Sequence, residues 1–144
     1  DGARLARVEI VPNEGRPYIL GREGADQPWH VVAPALDATS PLVTSTAERI
    51  VELSPIDVRT APAIQGPPLA RVRALTFDGV MIDAALIASD GKTWVKLVAR
   101  PSAPEQEAAA LEINNRVAPW AYALNTLEAE SLAPSLGRLL PAAP

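Results

Sequence analysis

His30 is the only histidine in this 144-residue chain, and there is no cysteine. Any nucleophile–histidine–carboxylate arrangement would have to be built on His30. No serine sits in a G-x-S-x-G elbow, and one histidine cannot supply an H-E-x-x-H metal pair. His30 follows Trp29 in a short extended segment, so the two side chains point to opposite faces. A solvent-facing strand histidine accounts for it. The absence of cysteine removes disulfides, thiolate catalysis and Cys-type zinc sites together, and leaves the redox compartment open.

Carboxylates are the other route to chemistry. Asp78 and Asp90 each precede a glycine, which is turn chemistry and explains both. Asp83 stands in an otherwise apolar strand, where an edge position or an arginine partner accounts for it. Paired-carboxylate hydrolysis needs two carboxyl groups facing across a cleft, and nothing in the spacing pairs any two. Gly21-Arg22-Glu23-Gly24 fits neither a dinucleotide fingerprint nor a P-loop, and no EF-hand spacing occurs. The expectation is no catalytic residue, no metal ligand set, no cofactor, and a chain that is not an enzyme.

Binding residues are easier to find. Trp29, Trp94, Trp120 and Tyr122 could line a groove, although Trp29 and Trp94 read as core. Asn114, Asn115 and Arg116 lie inside a helical stretch. Asparagine is a poor helix former, so two in succession imply a hydrogen-bonding role toward neighbouring backbone or a partner. Ile113, Val117 and Trp120 fall at i, i+4 and i+7, and Pro119 must end that helix. Trp120 is therefore expected to fold back onto the sheet as a core anchor, with Tyr122 extended on the same side. The candidate ligand- or partner-binding set is Asn114, Asn115, Arg116, Trp120 and Tyr122.

The elements that position these residues follow from hydrophobic period. Ala6, Val8 and Ile10 alternate with Arg7 and Glu9, a half-buried strand. Asn13-Glu14-Gly15 turns the chain, Pro17 to Gly21 returns it, and Trp29 to Ala33 adds a third strand. Val43, Ala47, Ile50 and Val51 then form a helix stripe, with Asp37, Thr39 or Ser40 as N-cap and Ser54-Pro55 as its end. Ile56 to Thr60 reads as a short strand, and 61–68, with three prolines, as a linker. A second meander over 69–100 turns at Asp78-Gly79 and Ser89-Asp90-Gly91. A helix follows over Glu105 to Ala118, then an extended Trp120 to Leu124. A last helix carries Leu132, Leu136 and Leu139.

The expected fold is α+β: antiparallel β-meanders, each followed by a helix, in one soluble domain over 1–144. Trp29 and Trp94 open the third strand of their meanders 65 residues apart. That spacing admits an internal βββα pseudo-repeat, with halves at about 4–60 and 69–140 joined by the Pro-rich linker. The two indoles would then occupy equivalent core positions.

Net charge is −4 and the pI about 5.0. The basic residues are scattered, and Arg71 and Arg73 alternate along a strand as a solvated face. Nucleic acid is therefore not an expected partner. No apolar run approaches the length needed to span a bilayer. The chain opens at Asp1 without a signal pattern, so it is expected to be the soluble part of a longer protein.

Several of these residues carry a family resemblance. Trp29-His-Val-Val-Ala-Pro with Asp37 and the helix through Leu53, the segment Asp90-Gly-Lys-Thr-Trp-Val-Lys-Leu, and above all Ile113-Asn-Asn-Arg-Val-Ala-Pro-Trp-Ala-Tyr-Ala-Leu124 resemble the domain-of-unknown-function 4340 family. The resemblance implies an envelope protein on the periplasmic or extracytoplasmic face of the inner membrane, anchored by an N-terminal helix. It would be associated with ABC-type export or gliding-motility components. It implies no chemistry. The function expected is a non-enzymatic accessory or interaction domain with a protein partner in that system. The alternative is a small-ligand or glycan-binding domain using Trp120 and Tyr122.

Overall fold

The computed structural model describes residues 5–13, 15–34, 41–51, 53–89 and 91–139. Among these residues there are eight strands: β1 (Leu5–Val11), β2 (Tyr18–Gly21), β3 (His30–Ala33), β4 (Asp57–Thr60), β5 (Ala70–Thr76), β6 (Val80–Ser89), β7 (Lys92–Pro101) and β8 (Trp120–Leu124). Four helices accompany them: α1 (Pro41–Glu48), α2 (Glu107–Val117), α3 (Thr126–Leu132) and α4 (Leu136–Leu139).

All eight strands belong to one sheet in the order β3-β2-β1-β5-β6-β7-β8-β4, and each neighbouring pair is antiparallel. This corrects the expected α+β organisation of meanders each followed by its own helix. The βββα pseudo-repeat falls with it, for two reasons. β4 leaves the first half of the chain and closes the far edge of the sheet beside β8. The two tryptophans also face opposite ways. Trp29 packs into the main core with Val31 and Leu20, whereas Trp94 joins Ile64, Ile87, Ala121 and Ala123 on the other side.

The main core follows from strand alternation. Val8, Ile10, Val72, Ala74, Ala84, Leu86 and Val95 line one face, because register matches Val8 with Ala74, Ile10 with Val72, Val72 with Ala84, and Leu86 with Val95. The helices cover this face. Val43, Ala47 and Ile50 come down from α1 and its 3₁₀ extension, Leu132 from α3 and Leu139 from α4. α2 lays Ala110 on Val80 and Ala99.

Local chemistry sets the connections. Gly79 N–H donates to the Thr76 carbonyl, and Gly79 takes φ 97°, a left-handed position at the end of a three-residue hairpin loop. Asn125 caps α3 by accepting from the Glu128 N–H at 2.7 Å. The N-cap candidates Asp37, Thr39 and Ser40, and the turn residue Asp90, lie outside the described residues. The 61–68 segment does more than link. After a 3₁₀ turn at Ala61–Ala63, Ile64 is fully buried and plugs the open face above Trp94.

Tyr18 ties the sheet to the helical layer. Its hydroxyl donates to the Pro134 carbonyl at 2.5 Å, between α3 and α4. Burial pushes the Tyr18 phenol well above its ordinary value. A raised folded-state value means that the unfolded chain loses this proton first. The contribution is whole below about pH 10 and falls as pH rises beyond it, by up to about 1.4 kcal/mol per pH unit. Urea midpoints measured between about pH 9 and about pH 11 should therefore fall more steeply for the wild type than for Tyr18→Phe. Equal slopes would assign the alkaline loss to another group.

Candidate functional site

β8 begins at Trp120, directly after Ala118 and Pro119 close α2. From there the sheet decides where side chains point. Thr60 pairs with Trp120 and Val58 with Tyr122, so Val58, Trp120 and Tyr122 share the helix-bearing face. α2 packs chiefly on β7 and stops short of this corner. Trp120 is consequently 41% exposed, Val58 47% and Ile56 57%, while Tyr122 is half-buried against the core. This corrects the expectation of Trp120 as a buried anchor. The helical spacing that links it to Ile113 and Val117 ends at Pro119, and strand parity replaces it.

The corner lies on an edge. Among the described residues, β4 has β8 on one side and no strand on the other. Ile56 N–H and Ala61 N–H donate to the Ala123 and Pro119 carbonyls at 2.8 Å, so the ladder to β8 is closed at both ends. Val58 N–H donates instead to Asp57 Oδ1 at 2.8 Å, a side-chain substitute for a missing strand. Asp57 Oδ2 also meets Lys92 Nζ at 3.7 Å. On the opposite face, the Arg59 guanidinium lies 5.0 Å from the Trp94 ring centre.

The five expected site residues are not brought together. Asn114 has a structural task. Its Oδ1 accepts from the Ala99 N–H at 2.7 Å and its Nδ2 donates to the Ala99 carbonyl at 2.8 Å. β8 reaches only as far as Lys96 along β7, so beyond that point β7 lacks a strand neighbour on this side among the described residues. The Asn114 amide stands in for the absent peptide group. Asn115 is exposed, and Arg116 pairs with Glu112 at 2.9 Å along α2. Trp120 and Tyr122 remain as the binding candidates. Sequence reasoning missed their companions Ile56 and Val58, because no local signal places β4 beside β8.

The clefts offer little to compete with this corner. One of about 360 Å³ lies between the sheet and α3, with Leu86, Ala70, Ala129 and Ala133 in its lining and Glu130 as its one ionisable group. Another of about 430 Å³ surrounds His30 with Arg7, Arg22 and Glu23, and its lining includes no hydroxyl. His30 and Glu23 both line it, and no serine or threonine does. Among the described residues no three potential metal ligands gather, and no helix is long and apolar enough to cross a membrane.

Two truncations separate the tryptophans. Trp94 is fully buried and its Nε1–H donates to the Ser89 carbonyl at 3.1 Å, so Trp94→Ala should cost ~3–5 kcal/mol in urea denaturation. Trp120→Ala should cost under about 1 kcal/mol, near the range of surface changes. A loss as large as that of Trp94 would return Trp120 to the core. Asn114→Ala should destabilise by ~1–3 kcal/mol through the two unpaired Ala99 groups, and Ala99 should lose amide-exchange protection. Retained protection would mean that another group serves Ala99.

No family model matches this chain, and neither a curated protein nor a solved structure matches it.

Proposed function

We propose that the chain is a non-enzymatic interaction domain that docks a protein partner at the β4–β8 corner. The observation that carries this reading is the exposure of Val58 on the edge strand β4, of Ile56 just before it and of Trp120 on the neighbouring β8. An extended segment of a partner could add to β4 through main-chain hydrogen bonds while its side chains pack on Trp120. Tryptophan is the side chain most favoured where a few contacts dominate binding. Its setting in an ABC-transporter-type system of the envelope rests on the family resemblance alone, chiefly that of Ile113 to Leu124.

The test is photo-crosslinking in the native cell, with the intact protein carrying a benzophenone side chain at one position at a time. Positions 58 and 120 should give a discrete protein adduct. Position 111, which is Leu111 on the exposed side of α2, should give none. Adducts at position 111 alone, or equally at all three, would refute the corner as the docking site.

A further inference from the structure

The helices cover one face of the sheet. Among the described residues the opposite face is open, apart from the Ile64 plug at the Trp94 corner. Register lays its side chains in rows across β1, β5, β6 and β7. One row reads Arg7, Leu75, Met81, Arg100, and the next Glu9, Arg73, Asp83, Val98. The third reads Val11, Arg71, Ala85, Lys96. Arg7, Arg71, Arg73, Lys96 and Arg100 thus stand against Glu9 and Asp83, five cations to two anions, on a chain of net charge −4. The cations are scattered in sequence and gathered only by strand register.

We infer that this open face binds an acidic polypeptide segment. Arg73 Nε and Arg100 Nε already hold the Asp83 carboxylate at 2.7 and 3.3 Å, so the guanidiniums are spaced to take carboxylates. The residues between the cations are aliphatic, with Val11 and Val98 exposed and Leu75 and Met81 half-buried. They suit apolar side chains interspersed along an acidic segment. The rows hold no aromatic residue, so the face lacks the stacking platform that single-stranded nucleic acid uses. Strands twist by roughly 20–25° at each step, which turns the face by roughly 60–75° from β1 to β7. A planar anionic bilayer cannot meet all five cations on such a saddle, whereas a flexible chain can follow it. This surface is separate from the β4–β8 corner, and its test stands apart from that reading.

The experiment is an amide NMR titration of the whole chain with poly-L-glutamate, beside oligothymidylate and phosphatidylglycerol vesicles as rival anions. Shifts should concentrate on β1, β5, β6 and β7 and weaken with added salt. Arg7→Glu combined with Arg71→Glu should lower affinity at least ~10-fold. Arg7→Gln with Arg71→Gln, a milder change at two exposed positions, should lower it less and keeps the test open if the reversal variant does not fold. Silence toward polyglutamate, equal binding by the variants, or tighter binding of oligothymidylate or vesicles would overturn the inference.

Discussion

The pairing of β1 with β5 is the contact on which the rest of the architecture depends. It matches Val8 with Ala74 and Ile10 with Val72, and so fuses two local meanders into one sheet with one continuous apolar face. Side chains alternate with period two, so a slip of one residue would turn Val8 and Ile10 out to solvent and bring Arg7 and Glu9 into the core. Burial of that apolar set specifies the register strongly. Arg22 reinforces the join at its irregular end, where its N–H donates to the Ala6 carbonyl and its Nε–H to the Leu5 carbonyl. There the register between β1 and β5 shifts at Leu5 and Arg7.

Once a single apolar face exists, the helices need to cover only that face, and they cover it unevenly. α1 sits over β1, β2 and β3, while α2 is held on β7 by the Asn114 clamp at Ala99. The clamp also fixes where β8 can start. A side-chain amide serves the β7 backbone at Ala99, and β8 pairs with β7 only from Ala121 onward. The apolar surface of β8 and β4 therefore extends past the helical layer. The exposed Trp120 follows from the way α2 is anchored, and is not an isolated surface residue.

Much of the local structure was legible in the sequence, and most of the long-range structure was not. Alternation around Val8 and Ile10 and over Ala70 to Thr76 marks strands, and the helix stripe of Val43, Ala47 and Ile50 marks a buried helical face. The burial of Trp29 and Trp94 was readable, but their opposite faces were not, because strand parity relative to a distant partner has no local signature. Ile64 sits among prolines that read as a linker, yet it fills a core position. At the candidate site, the polar pair within α2 pointed to a backbone hydrogen bond, and Asn114 makes two. Trp120 was misplaced because helix periodicity was carried across Pro119, where strand geometry takes over. Ile56 and Val58 needed the β4–β8 pairing, and the cations of the open face needed four strands in register.

The two surfaces left outside the core are guarded differently, and the difference bears on how each could bind. On the open face, Asp83 sits between Arg73 and Arg100, so part of the positive charge is neutralised and the rest keeps like faces apart. Such a face resists stacking on a second copy of itself and remains available to anions. At the β4 edge, protection is partial. Asp57 takes the Val58 N–H, and the strand is only four residues long; both are ways by which natural sheets blunt an edge. On the helix-bearing face, however, Val58 and the neighbouring Trp120 of β8 stay uncovered. Indiscriminate strand addition is thereby discouraged, and a segment that displaces the Asp57 carboxylate gains both the freed donor and the apolar contact. The edge favours a partner that can do both at once.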